Sequence, residues 1–230
     1  MPRNLMPALV AALMATACAE ELSVHVRSGD RPPDPGFLVL STGVDVDRFQ
    51  IVMRNLRLQS DPTDGGFSTP DMIVIGPGPY LVDLSGPNLT GGVFTELVSG
   101  FSIRPKGYYE MDIDLVPVSS ADIQANAALA PLLGKTYVIT GRNQQGTSFT
   151  FESSSSQVLV RESVFRMGLN HNNVDVNIAP NRWFEGPDGG PAIDPTTTDP
   201  ALRSMIEANV AASIDAYEDD DMDGVPDPLG

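Results

Sequence analysis

A group of aspartates near the C-terminal end of the chain has the spacing of a metal-binding loop. The group consists of Asp219, Asp221, Asp223 and Asp227 around Gly224. Alternate carboxylates around a tight glycine turn provide the oxygen ligands that a hard cation such as Ca²⁺ requires. The sequence therefore predicts a calcium site here, with the backbone carbonyl of Val225 as a further ligand.

The same segment lacks the second half of an EF-hand. Counting from Asp219, the position of the usual bidentate glutamate is Gly230, and Pro226 stands where an aliphatic residue is usual. The segment is instead similar to the shorter aspartate loops of thrombospondin type-3 and dockerin repeats. This resemblance implies that Asp227 is a ligand and that a single copy binds weakly. The alternative is a solvated acidic tail over residues 218–227 that binds no ion.

Other residues that could carry chemistry form weaker patterns. Glu110, Asp112 and Asp114 alternate along one strand, which could serve a glycosidase but is more typical of a water-facing surface. His25 and His171 are far apart, and neither has a second ligand at metal-binding spacing. The chain has no G-x-S-x-G nucleophile elbow. We therefore predict that the protein is not an enzyme; the alternative is a carbohydrate- or peptide-processing enzyme that uses some of these residues.

An aromatic pair suggests a third kind of function. Trp183 is the only tryptophan and is followed by Phe184. Together with Tyr108 or Tyr109 it could form the stacking platform of a carbohydrate-binding module, with calcium holding its loops. A single tryptophan more often closes the end of a hydrophobic core and anchors the turn that follows.

The elements that must position these residues are mainly short strands. From Leu22 to Ile178, short runs of alternating apolar and polar residues are bounded by glycine, proline, asparagine and aspartate. In the clearest run, Tyr109, Met111 and Ile113 point to one face. This pattern predicts a mostly β fold with two packed sheets. The predicted strands are 22–26, 49–58, 72–75, 80–84, 93–103, 109–115, 136–140, 148–151, 158–165 and 174–178.

Two segments are predicted to be helical. The first is a short insertion from Ala121 to Leu133, capped by Ser120 and closed by Gly134. The second is longer, runs from Pro200 to Tyr217 and is capped by Asp199. One stripe of this helix must be buried against the sandwich, and it consists of Leu202, Ile206, Val210, Ile214 and Tyr217.

The first residues have the anatomy of a secretory signal. An apolar run from Leu5 to Ala15 follows Arg3, and small residues lead to Cys18, the only cysteine. This segment resembles the lipobox of bacterial lipoproteins, although Ala15 replaces the usual leucine. The resemblance implies that Cys18 is lipidated, and the Ala19 that follows it implies the outer membrane. The alternative is ordinary signal cleavage beside an incidental cysteine.

Composition and these segments divide the chain and limit its partners. We predict a signal peptide at 1–17, a lipidated N-terminus, first strand and linker at 18–36, and a sandwich at 37–184. A loop and amphipathic helix at 185–217 and an acidic tail at 218–230 follow. The 30 acidic residues outnumber the 14 basic ones and give a net charge of −16, which makes nucleic acid and anionic lipid headgroups poor partners.

Several segments together are similar to an uncharacterised family of bacterial envelope lipoproteins. They are 82–84, 107–109, 134–141 and 149–151, and in the second half 174–178, 183–184, 193–195 and the helix that leads into 218–224. The resemblance implies an immunoglobulin- or transthyretin-like sandwich and an envelope location, and it carries no catalytic residues. We expect a lipid-anchored binding or structural protein whose protein or glycan ligand the sequence does not identify. Recognition would fall to loops 61–70 and 87–92.

Overall fold

The computed structural model describes residues 20–29, 38–40, 42–60, 71–90, 93–104, 107–168, 172–187 and 190–227. Most of the regular structure within these ranges is β-strand, and the strands form two sheets that share one hydrophobic core. The predicted two-sheet β-sandwich is therefore confirmed.

The described residues contain twelve strands, and each of the ten predicted strands overlaps one of them. In chain order they are β1 (Glu20–Ser28), β2 (Leu38–Val39), β3 (Asp45–Ser60), β4 (Met72–Gly76), β5 (Tyr80–Ser85), β6 (Thr95–Ile103), β7 (Gly107–Leu115), β8 (Tyr137–Arg142), β9 (Ser148–Ser153), β10 (Gln157–Arg166), β11 (Asn172–Ile178) and β12 (Ile214–Glu218). The α-helices are α1 (Pro87–Thr90), α2 (Ser120–Ala125) and α3 (Pro200–Ala212), and short 3₁₀ helices span Ala127–Leu132 and Pro180–Arg182.

The smaller sheet has the strand order β12-β11-β1-β6. Its two central strands, β1 and β11, run parallel, and the other neighbours are antiparallel. Strands from both ends of the chain thus complete one sheet. The sandwich extends on both sides of the predicted range 37–184, because β1 is central in this sheet and β12 is one of its two edge strands.

The larger sheet is organised around β3, the longest strand. Its main order is β10-β7-β3-β8-β9, and β2, β4 and β5 also pair with β3. Apolar residues alternate along the strands, so their side chains point to one face of each sheet. The side chains from the two sheets meet in the core between them and are fully buried there. Examples are Val24, Phe49, Ile51, Ile113, Ile139, Val174 and Val176.

The inserted helical segment covers the outer face of the larger sheet. Leu129 and Leu132 pack with Val52 and Val118 in a small separate apolar cluster. The predicted single helix over 121–133 is instead α2 followed by a 3₁₀ helix, since the extended backbone of Asn126 separates them. Ser119, rather than the predicted Ser120, caps α2.

The helix α3 begins as predicted but ends earlier. Asp199 caps it by accepting hydrogen bonds from the N–H groups of Ala201 and Leu202. The prediction that it continues to Tyr217 is wrong, because Ile214–Glu218 pairs with β11 as β12. Among the residues of the predicted stripe, Ile206 and Val210 are fully buried within α3.

An irregularity in β7 changes which tyrosine enters the core. The pairing of β7 with both neighbouring strands shifts between Tyr108 and Glu110, as at a β-bulge. Tyr108 is therefore buried, whereas Tyr109, predicted to face the core, is half-buried and accepts a hydrogen bond from Gln59.

Candidate functional site

The aspartate loop begins where β12 ends and continues its pairing with β11. The N–H of Asp219 donates to the carbonyl oxygen of Asn173 at 3.0 Å. The N–H of Asn173 donates in turn to Oδ1 of Asp220 at 2.9 Å. The start of the loop is thus fixed to the edge of the smaller sheet, so the loop is ordered by the sandwich.

Three of the predicted ligands converge within this loop. Carboxylate oxygens of Asp219, Asp221 and Asp223 lie within 4.8 Å of one another. Asp219 is only 1% exposed, whereas Asp221 and Asp223 are at the surface. The arrangement places one buried and two accessible carboxylates around a common point, which is the donor set that a hard cation prefers.

Backbone N–H groups orient these carboxylates. Asp219 accepts hydrogen bonds from Asp223 N at 3.1 Å and Gly224 N at 2.8 Å. The N–H of Asp223 also donates to Oδ1 of Asp221 at 3.1 Å, and the N–H of Val225 donates to Oδ1 of Asp223 at 2.7 Å. Each carboxylate oxygen has two lone pairs, so these bonds leave capacity for a cation.

The two remaining predicted ligands have other contacts. Oδ2 of Asp227 accepts a hydrogen bond from the N–H of Asp220 at 2.7 Å, and the N–H of Asp227 donates to the carbonyl of Glu218 at 3.0 Å. Asp227 thus ties the end of the loop to its start and is not one of the three converging carboxylates. The side chain of Val225 is exposed. The ligand roles of Asp227 and of the Val225 carbonyl stay predictions.

The loop docks on a buried arginine that sequence reasoning did not identify. Arg27 lies on β1, next to β11, and is only 6% exposed. Its guanidinium donates to Oδ2 of Asp175 at 2.6 Å, to the hydroxyl of Tyr217 at 2.7 Å and to the carbonyl of Gly224. Arg27 therefore connects the aspartate loop to β11 and β12.

Burial determines the electrostatics of this region. It raises the pKa of Asp175 to about 6, against the opposing effect of Arg27, and it raises the pKa of Tyr217 to about 12. Burial also acts to lower the pKa of Arg27, but hydrogen bonding to Tyr217 and the charge of Asp175 outweigh it and raise that pKa.

The carboxyl of Asp219 is itself electrostatically disfavoured as an anion. Burial raises its pKa, and the charges of Asp223 and Asp221 add to this effect. The N–H groups of Gly224 and Asp223 act in the opposite direction. A cation among the three carboxylates would relieve this repulsion.

Gly224 is required by both its backbone conformation and its surroundings. Its φ is +82°, and a Cβ at this position would lie 1.9 Å from Nη1 of Arg27. Gly134 has a similar φ of +73° but no atom within 4 Å of such a Cβ. The two glycines therefore form a matched pair.

We expect Gly224→Ala to destabilise the protein more than Gly134→Ala. The positive φ alone costs about 1–2 kcal/mol for an L-residue, and only at Gly224 must the arginine also move. Urea unfolding curves of both variants measure the difference. Equal losses would contradict the docking of the loop on Arg27.

Two of the acidic residues that alternate along β7 form ion pairs with an arginine of the neighbouring strand β3. Arg57 on β3 contacts Oδ1 of Asp114 at 2.6 Å and Oδ2 of Asp112 at 3.3 Å. Burial raises the pKa of Glu110, and the nearby charges of Asp112 and Glu162 add to it. Asp112 is buried, so the prediction of a fully water-facing acidic surface is wrong at this position.

The aromatic residues proposed for sugar stacking lie largely in the core. Trp183, Phe184 and Tyr108 are at most 1% exposed. The indole ring of Trp183 packs on Phe49 with 4.6 Å between ring centroids, and its Nε1 donates to Oγ of Ser213 at 2.7 Å. Trp183 thus closes the end of the core and offers no face to a sugar.

His25 is buried on the outer side of the smaller sheet. Its Nε2 lies 3.9 Å from a carboxylate oxygen of Glu96, and its ring makes an edge contact with Phe94. Burial lowers the pKa of His25 despite the charges of Glu96 and Asp219. His25 does not belong to the group of possible metal ligands that converges in the aspartate loop.

Several predicted features fall outside the described residues. They are the signal peptide, Cys18, the linker after β1, the loop 61–70, residues 91 and 92, and His171. None of the described helices has the length and apolar character needed to cross a bilayer.

The chain was compared with protein-family models, with curated proteins and with solved structures, and none of these comparisons found a match.

Proposed function

We propose that this protein is a non-enzymatic, lipid-anchored protein of the bacterial cell envelope with a binding or structural role, and that its C-terminal loop binds Ca²⁺. The observation that supports the calcium proposal is the convergence of Asp219, Asp221 and Asp223 within 4.8 Å on a loop fixed to the sandwich.

The chemistry of the loop favours calcium over transition metals. All three converging side chains are carboxylates, whereas zinc and copper sites use histidine or cysteine. Magnesium requires a small octahedral shell and keeps several waters, so a loop with several carboxylates suits calcium better. The net charge of −16 also favours a divalent cation.

A single short loop should bind calcium weakly. Extracellular calcium modules have dissociation constants of about 10⁻⁴ to 10⁻³ M, and we expect a value in that range here. The backbone hydrogen bonds within the loop lower the cost of ordering it. Calcium bound here would strengthen the contacts from the loop through Arg27 and Tyr217 to β11 and β12.

Thermal unfolding tests the calcium proposal. We expect calcium to raise the melting temperature of the mature protein and a chelator to reverse this rise, because an ion that binds only the folded state stabilises it. Asp223→Asn keeps the size of this exposed side chain and removes its charge, so it should abolish the shift. An equal shift in the variant would contradict binding at this loop.

The envelope proposal depends on Cys18 and the residues before it. In a Gram-negative host, we expect wild-type protein in the membrane fraction and Cys18→Ser in the soluble fraction, because two or more acyl chains anchor a protein stably. Fractionation of cells producing each form measures this. Membrane retention of the serine variant would reject lipidation at Cys18.

A further inference from the structure

A cavity of about 490 Å³ lies where β11 ends beside the C-terminal end of α3. This volume is within the range of about 300–1,000 Å³ that is typical of small-molecule sites. Asn177 on β11 and Asp215 on β12 face each other in the sheet and both line the cavity. Asn209 and Glu185 line it from α3 and from the segment before α3.

An amide in the cavity wall presents a hydrogen-bond acceptor. Nδ2 of Asn209 donates to the carbonyls of Trp183 and Glu185 at 3.3 and 3.1 Å, which leaves its Oδ1 for a ligand.

The ionised groups around the cavity add to the excess of acceptors. Glu185 and Asp215 contribute two carboxylates, and Arg182 is the only cationic side chain in the described lining. The Arg182 side chain is 81% exposed, and its Nε lies 4.0 Å from Glu185. The described lining thus has a net negative charge in a strongly acidic protein.

We propose that this cavity binds a small organic cation that carries primary amine groups. An ammonium group offers three N–H donors and a positive charge, which matches the free amide oxygen of Asn209 beside two carboxylates. No aromatic side chain is present in the described lining. A quaternary ammonium ion, which has no N–H donors and relies on aromatic faces, fits less well.

This inference is independent of the calcium proposal, because the cavity shares no lining residue with the three converging aspartates. Putrescine is a suitable probe, and its diol analogue, in which hydroxyl groups replace both amines, is the neutral comparison. Calorimetric titrations of the mature protein are made in about 0.15 M salt to screen non-specific attraction to the surface.

We expect putrescine to bind and the diol to give no heat. The double variant Glu185→Gln, Asp215→Asn should weaken putrescine binding about ten-fold or more, because it removes two charged acceptors. Asp47→Asn removes an exposed charge on β3 and should leave binding unchanged. Circular dichroism checks that each variant is folded.

Three outcomes would overturn the proposal. Absence of putrescine binding to the wild type would reject the site. Equal putrescine binding by wild type, double variant and Asp47→Asn would show general attraction to an acidic surface. Binding of the diol as tightly as putrescine would assign the cavity to neutral hydroxylated ligands.

Discussion

Replacing Trp183 by alanine is expected to lower the free energy of unfolding by about 3–5 kcal/mol. The side chain is fully buried, packs on Phe49 and donates a hydrogen bond to Ser213. Its removal leaves a cavity at the end of the core and loosens the link between the segment after β11 and the end of α3. Urea unfolding followed by circular dichroism measures the loss.

Trp183→Phe is the matched control for this prediction. Phenylalanine refills most of the space but cannot donate to Ser213. We therefore expect Trp183→Phe to lower the free energy of unfolding clearly less than Trp183→Ala does. In the wild-type protein, the fluorescence of this only tryptophan should shift to longer wavelength on unfolding. A loss below about 1 kcal/mol for Trp183→Ala would mean that the side chain is not buried in solution.

Replacing Arg27 by methionine is expected to lower the free energy of unfolding by an amount comparable to that for Trp183→Ala. Removing one partner of a buried ion pair typically costs about 3–5 kcal/mol, because the other charge remains buried without compensation. Here the side chains of Arg27 and Asp175 are 7% and 2% exposed. The substitution also removes the donor that holds the carbonyl of Gly224.

An exposed ion pair provides the comparison. Arg48 and Asp83 also form a short contact, but their side chains are 47% and 31% exposed. We expect Arg48→Met to cost only about 0–1 kcal/mol. The double variant Arg27→Met, Asp175→Asn should recover part of the loss, because no uncompensated charge remains. Equal costs for the two arginine variants in urea unfolding would contradict the role given to Arg27.

The strand pattern was predictable because it is local. Alternation of apolar and polar residues indicated β1, β7 and β11 directly, and it placed Val24 and Val174 on buried faces. It was less reliable for Tyr108 and Tyr109, because a shift in pairing with two neighbouring strands is a property of the sheet and leaves no signal in the sequence of β7 alone.

The end of α3 was not predictable from periodicity. Ile206, Val210 and Ile214 have helical spacing, so a continuous helix was the expected interpretation. The structure ends the helix because Ile214 and Ala216 pair with Ile178 and Val176 of β11. This pairing is non-local, and it determines where the aspartate loop begins.

The residues of the loop were found from the sequence, but its docking was not. The spacing of Asp219, Asp221 and Asp223 is a local signal, and the structure brings their carboxylates together. The alternation along β1 places Arg27 on the face of the sheet that points away from the core, which indicates a solvated side chain. Only the fold brings Gly224, 197 residues away, over this arginine.

Calcium titration of the purified mature protein tests the central proposal most directly. We expect one Ca²⁺ per chain with a dissociation constant of about 10⁻⁴ to 10⁻³ M. Binding should be lost in Asp221→Asn, which keeps the hydrogen-bond acceptor for Asp223, and should be retained in Asp47→Asn. Absence of binding heat in the wild type, or the same heat in wild type and Asp221→Asn, would contradict a calcium site in this loop.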